Sequence, residues 1–457
     1  MGKLLKILII IFIIIIITIL VLLLKLTQNT NVENNNLDNN TSIENNNQTI
    51  SSEDIVNNNV IVQNDNNLKK FEIVKDRKTY IEVEDVVINI ITDMKLCNSD
   101  SSIKALYHVD GQELIDQKRL EIREMLNDRI SVECNIDAIF DSELFKNVIM
   151  KETYTIERLY EKDINSNMVT YLIYGEFSKS KTEYIFIVVL DKETKAYEVY
   201  LDDYIRNNYD LKDINSIDIK IDKIEKNKNN IINEYKQKEA NKKIAQRYFL
   251  TLKTKLEQNP EEVYDILYKV YKEEKFKDKE EFYKFAKGIQ LSKFEQYKII
   301  DKDNHYEIIC KDELDNTIIF KERAVMNYTV ILDPYTINLE TITEEYNTKD
   351  EDKILLNIQQ ISQMINMKDY TELYKKLNSV FKTNNFKNIE SFEEYINKNF
   401  YTRSKFEYIS SKKYNNENYI VKLQIRNESK KAEKKAITII MKLGEGKDFE
   451  MSFSMDS

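Results

Sequence analysis

The apolar positions of this chain change their spacing several times, and each change marks an element. Residues 7–24 read ILIIIFIIIIITILVLLL, a run of 18 broken only by Thr18. As a helix it would span roughly 27 Å, close to the hydrocarbon thickness of a bilayer. Lys6 and Lys25 flank it, and no small-x-small cleavage site follows, so the pattern predicts an uncleaved signal-anchor rather than a signal peptide. Residues 28–67 hold 16 asparagines, six acids and no Lys or Arg. Their apolar positions are sparse and without period, which predicts a disordered stalk.

From residue 242 the spacing becomes helical and then alternating, and it does so twice. Ile244, Ala245, Tyr248, Phe249 and Leu252 in one stretch, and Ile354, Leu355, Ile358, Ile361 and Ile365 in the other, fit a 3.6-residue period. Tyr264, Leu267, Val270, Tyr271 and Lys272 match Tyr374, Leu377, Val380, Phe381 and Lys382 at an offset of 110. Ser292-Lys293-Phe294-Glu295 recurs as Ser404-Lys405-Phe406-Glu407, where a loop has gained two residues. Helix starts recur too. Asn259-Pro260-Glu261-Glu262 and Asp369-Tyr370-Thr371-Glu372 read as capping boxes, and Asp278 and Asn388 as N-caps. Each copy is predicted to open with three short helices. β-Branched and aromatic stretches such as 305–310, 329–332, 419–425 and 436–441 then predict an antiparallel meander.

Residues 70–205 look like a third, degenerate copy. Ile103, Leu106, Val109 and Ile115 fall at an offset of 161 from Tyr264, Leu267, Val270 and Phe276. Strand-like stretches follow at 168–177, 183–190 and 196–201. The predicted organisation is thus a cytoplasmic tail at 1–6, a transmembrane helix at 7–24 and a stalk at 28–67. A degenerate α+β unit follows at 70–205, a charged connector at 206–240, and two further α+β units at 241–345 and 346–457. The fold class is α+β, with helices segregated from antiparallel sheets.

Charge adds orientation. Lys3 and Lys6 precede the apolar run, and no Lys or Arg follows Lys25 until Lys69. The positive-inside rule therefore predicts a single-pass protein of the cytoplasmic membrane, with residues 26–457 extracytoplasmic. The net charge of −10 on 457 residues argues against nucleic acid as a partner. Three helices followed by a curved meander resemble the nuclear-transport-factor-2-like fold. Tandem copies behind one anchor resemble extracytoplasmic scaffold components of bacterial conjugation and type IV secretion machines. The resemblance rests on element order and duplication, and it transfers no site residue. It implies a cone-shaped sheet whose concave face serves protein docking, ligand binding or catalysis.

Candidate chemistry is thin. Only two histidines are present, without a metal-ligand spacing, and Cys97, Cys134 and Cys310 show no C-x-x-C pattern. Cys97 and Cys134 either pair or stay as buried thiols. The acid pairs Glu261/Glu262, Glu280/Glu281 and Glu393/Glu394 stand in first helical turns, where carboxylates complement the helix dipole. No catalytic residue, cofactor site or metal site is predicted. One basic turn stands out: Lys430, Lys431, Lys434 and Lys435 crowd a hairpin tip, and from Tyr346 onward 20 basic residues outnumber 16 acids. They are candidates for contact with an anionic envelope polymer. The leading expectation is a non-enzymatic, membrane-anchored scaffold with envelope protein partners and a bilayer contact through residues 7–24. The alternative is a small-ligand receptor or enzyme using a cone pocket. A cone filled by Phe, Leu and Ile favours the first; an open pocket with apposed Asp/Glu and Tyr favours the second.

Overall fold

The computed structural model describes residues 70–131, 136–219, 231–337, 349–430 and 432–455. The expectations placed on residues 1–67, on Cys134 and on Lys431 lie outside these. Among the described residues, no helix is long and apolar enough to cross a membrane. The two longest, α1 (Arg77–Cys97) and α6 (Gln237–Gln258), have the length. Yet α1 carries Arg77, Lys78, Glu82, Glu84, Asp85, Asp93 and Lys95, charges that a bilayer core does not accept. This corrects the expected single-pass architecture and the location at the cytoplasmic membrane, neither of which a described helix supports.

The described chain is α+β, with three antiparallel meanders, each preceded by helices. In the first unit α1, α2 (Asp100–Tyr107), α3 (Gln112–Asn127) and α4 (Ile136–Asp141) lead into β2 (Tyr154–Asp163), β3 (Met168–Phe177), β4 (Glu183–Asp191) and β5 (Tyr197–Tyr200). The short β1 (Glu72–Ile73) pairs with β2, giving the order β1-β2-β3-β4-β5. A helix α5 (Asp202–Asn208) follows. In the second unit α6, α7 (Pro260–Asp265), α8 (Lys269–Lys275) and α9 (Lys279–Gly288) precede β6 (Phe294–Lys302), β7 (His305–Asp312), β8 (Thr317–Ala324) and β9 (Asn327–Ile331). In the third, α10 (Asp350–Asn366), α11 (Tyr370–Lys375), α12 (Ser379–Asn385) and α13 (Ile389–Asn399) precede β10 (Ser404–Lys413), β11 (Asn418–Asn427), β12 (Lys434–Leu443) and β13 (Phe449–Met455).

Each of the last two units thus opens with one long helix and three short ones, not three short helices. The additional helix, α8 or α12, is only seven residues long. It exposes Val270 or Val380 and so shows little amphipathic pattern. The caps at Asp278 and Asn388 form, each accepting from the backbone N–H three residues on. Asn259 does not make the anticipated capping box; its amide donates to the Glu262 carboxylate at 2.7 Å instead.

One backbone tie recurs in all three units. Ser131 donates to the Val199 carbonyl and Val199 donates to Arg129; Tyr268 and Val330 do the same with Ile266, and Asn378 and Met451 with Lys376. The tie sews the turn beyond a helix, short in the last two units and 16 residues long in the first, to the last strand. It aligns Ile130 with Leu267, an offset of 137 rather than the 161 read from the sequence. The extra residues are in α2 and α3 of the first unit, which is why Leu106 is exposed rather than in the core.

The sheets differ in how many faces they bury, and the strand sequences say so. β11 and β12 alternate: Tyr419, Val421, Leu423, Ile425, Ile437, Ile439 and Met441 point inward, while Lys422, Ile440 and Lys442 are exposed. That is the signature of a sheet with one solvated face. β3 and β4 are buried nearly throughout. Their second face, with Leu172, Ile185, Ile187 and Val189, is covered by Phe71, Ile205, Ile217 and Ile219. Residues 205–219 are therefore a packing layer of the first unit and not merely a connector.

Candidate functional site

Helix α10 shows how the second and third units meet. From Ile354 to Met367 it and its cap hold no charged residue, in a chain that is 32% charged. Ile354, Ile358, Ile361 and Ile365 bury into the third unit's own core. Leu356 and Met367 join the core that contains Ile309, Ile319 and Ile331 on the other side. Between these stripes runs a buried polar one: Asn357, Gln360, Ser362, Gln363 and Asn366. Its partners are mostly backbone carbonyls. Gln363 donates to Thr317 and to Leu332 at 2.9 Å each, and Asn366 donates to Ser404 at 2.8 Å. A carbonyl buried at a junction needs such a donor, since leaving it unmet costs about 1–3 kcal/mol.

Both copies of the Ser-Lys-Phe-Glu motif lie at this junction. Ser292 and Ser404 are buried. Arg403 donates to the Ser292 hydroxyl at 2.5 Å, and Lys405 lies 3.8 Å from Glu295 of the other copy. The repeat is an interface element as well as a strand opener.

A dense polar cluster lies at the same junction. Lys275, at the end of α8, contacts Asp333 and Asp369, with 2.6 Å to the latter. The side chains of the three are 8%, 0% and 8% exposed. Thr336 donates to Asp333 at 2.8 Å, and Tyr335 to Asp369 at 3.1 Å. Phe285 lies under the lysine, 4.0 Å from ammonium to ring centre. Burial pushes the Asp333 carboxyl up, and Lys275 pulls against it. Burial likewise works against the Lys275 ammonium, but Asp333 and Asp369 outweigh it and hold the amine above its ordinary value. Next to this cluster, Lys447 reaches from the third unit to the carbonyls of Pro334, Tyr335 and Ile337.

The first and second units meet through helices α1 and α6. Arg77 enters the end of the second sheet and pairs with Glu322, both side chains nearly inaccessible at 5% and 1%. Tyr248 donates to the same carboxylate at 2.6 Å. Arg247 grips Glu84 with both terminal nitrogens, at 2.7 and 2.5 Å.

A surface cleft of about 310 Å³ opens on the outer face of the first sheet. Tyr160, Tyr174, Ile185, Leu211 and Ile214 line it, with Arg158, Arg206 and Glu183. Arg158 stacks over Tyr174, its guanidinium carbon 4.7 Å from the ring centre. Arg206 donates to Asp202 at 2.7 Å. Burial raises Asp202 to about 6 despite that partner. Sequence reasoning missed both this cleft and the Lys275 cluster. Their members are far apart in the chain; the uncharged stretch of α10 signals the junction beside Lys275, and nothing comparable in the sequence marks the cleft.

The four lysines singled out from the sequence are divided by the structure. Lys430 lies 3.3 Å from Glu433, and Lys434 donates to Gln424 at 3.1 Å. Lys435 donates to the Asn399 carbonyl at 2.6 Å and stacks over Tyr401. Lys431 is outside the described residues. Arg426 with Glu407 and Glu428 adds compensating charge nearby. Cys97 and Cys310 are buried thiols. His108 ends α2 in a left-handed conformation, and His305 lies between Asn304 and Glu307. No cluster of His, Cys, Asp or Glu suited to a metal occurs among the described residues.

Comparison with known proteins leaves the chain by itself: no known family, no curated protein and no solved structure matches it.

Proposed function

We propose that this chain is a non-catalytic interaction scaffold, whose α+β units are fixed to one another to present a composite surface to protein partners. The observation that carries this reading is the filling of the sheets' helix-facing sides. Phe249, Phe282, Phe320, Tyr248 and Tyr271 occupy that space in the second unit. Phe386, Phe392, Phe406, Leu423 and Met441 do so in the third. Buried ion pairs and amide contacts lie at the junctions, where they set relative orientation. The likeness to nuclear-transport-factor-2-like units belongs to this proposal and rests on the order of helices and meander.

A second reading, a small-ligand receptor, is favoured by the cleft at Arg158 and Arg206. There apolar side chains lie beside two guanidinium groups that already face Glu183 and Asp202, so an anion with an apolar body would bind by competing with those carboxylates.

The test is quantitative affinity capture with the whole chain, with a chain lacking residues 346–457, and with the junction variant Gln363→Ala. A stoichiometric protein partner held by the whole chain and lost from both altered forms is expected. Saturable binding of a small carboxylate, abolished by Arg158→Ala with no such protein partner, would replace the scaffold with the receptor.

A further inference from the structure

We propose that Lys275 and Asp333 condense into an intramolecular amide, with Asp369 moving the proton, so that the second unit carries a covalent cross-link. The inference is independent of the scaffold reading. It begins with placement. The Lys275 amine is in direct contact with the Asp333 carboxylate. Among the described residues the carboxylate's other oxygen, Oδ1, is buried without a well-formed hydrogen bond, while the Tyr271 phenol lies close enough to favour the charged carboxylate. Asp369 approaches the same amine at 2.6 Å from the third unit. An aromatic shell of Phe276, Phe285 and Tyr335 surrounds the amine, with ring centres at 5.8, 4.0 and 5.3 Å. Tyr271 is fully buried beside Asp333; burial, and after it the Asp333 charge, pushes the phenol far above its ordinary range.

Such an enclosure favours the reaction for three reasons. One lysine between two aspartates places three charges in a low-dielectric interior that penalises each of them. Moving one proton from the ammonium to Asp333 leaves an amine beside a carboxylic acid, which is the reactive pair. The two groups are also held in contact, so condensation behaves as a unimolecular step with a high effective molarity. Finally, water is the product, and a dry site disfavours the reverse reaction.

The step balances without a further reactant. The Lys275 Nζ lone pair forms a bond to Asp333 Cγ. Asp369, as carboxylate, takes a proton from the nitrogen and delivers it to the departing hydroxyl. The Cγ–O bond breaks and water leaves. One amide and one water replace one amine and one carboxylic acid, Asp369 returns to carboxylate, and no electron is transferred. The residue after Asp333 is Pro334, which has no backbone N–H. The usual competing dehydration of an aspartate, attack by the following amide nitrogen to give a succinimide, is therefore closed at this position.

The test is mass spectrometry of the folded full-length chain. The expected mass is lower than the sequence mass by one water, and digestion should give one branched peptide joining Lys275 to Asp333. In Asp333→Asn the same attack would release ammonia, so the deficit should change from water to ammonia. Asp369→Ala should keep the full sequence mass while unfolding cooperatively. A folded wild-type chain at its full sequence mass, with Lys275 and Asp333 recovered on separate linear peptides, would overturn the proposal. So would a water loss mapped to other residues.

Discussion

Arg403, the residue just before the second Ser-Lys-Phe-Glu, donates a hydrogen bond to Ser292, the first residue of the earlier copy. Two copies of one motif thus meet across a junction, one supplying the donor and the other the acceptor. Arg403→Ala removes the donor and part of the packing around Ser292. The expected cost is about 1–2 kcal/mol, read as a lower urea midpoint. Ser292→Ala in the Arg403→Ala background should add only the loss of the Ser292 hydrogen bond to Glu313, because the Arg403 contact is already gone. Full additivity of the two changes would show that they are energetically separate.

Arg77 and Glu322 test the other junction. Removing one member of a buried ion pair leaves the other uncompensated, at about 3–5 kcal/mol. Arg77→Met should therefore destabilise strongly, since Glu322 would keep only the Tyr248 hydroxyl. Adding Glu322→Gln should recover a large share of the loss. Equilibrium denaturation of both single variants and the double variant closes the cycle. A double variant as unstable as the sum of the singles would mean that the pair carries no coupling.

Ile319 and Ile440 occupy comparable places in β8 and β12 but differ in exposure, at 0% and 47%. In the second unit α10 covers that face; in the third it meets solvent. Ile319→Ser should cost about 3–4 kcal/mol through lost burial and a cavity. Ile440→Ser should fall within about 0.5 kcal/mol of wild type. Similar losses at both sites would mean that something else covers the third sheet.

These sites also show how far the sequence carried. The strands of the last two units were legible because a period of two is a local property. The caps at Asp278 and Asn388 were legible because a cap acts over three residues. The junctions were not, because nothing local ties Lys275 to Asp369, 94 positions on. Asn357, Gln360, Gln363 and Asn366 look like a solvated helix face by spacing alone. Their composition says otherwise, since a solvated face in this chain would carry Lys or Glu. The first unit misaligned for a related reason. Its inserted helices shift the register by a number that pattern matching cannot supply, whereas the recurrent tie from Ile130 to Val199 fixes it. The apolar run at 7–24 illustrates the opposite hazard: a clear pattern prompted an architecture that the described helices do not support.

Asp202 offers a pH signature for the cleft. Burial raises its carboxyl from an ordinary 3.8 to about 6, against the pull of Arg206 and with Asp203 and Glu183 adding to the rise. The folded state thus holds a proton that the unfolded chain releases earlier. The sign follows from linkage: stability from this group is full below about pH 4, declines as pH rises toward 6 and is gone above that. The size is on the order of 2 kcal/mol. Comparing urea midpoints at pH 4 and pH 6.5 for wild type and Asp202→Asn should show a decline in wild type that the variant lacks. Arg206→Gln should move the Asp202 midpoint, followed by carboxyl NMR, above 6, because the cation that favours the charged form is removed. A downward move would mean that Arg206 is not the partner that matters, and that the two arginines of the cleft are held by other charges.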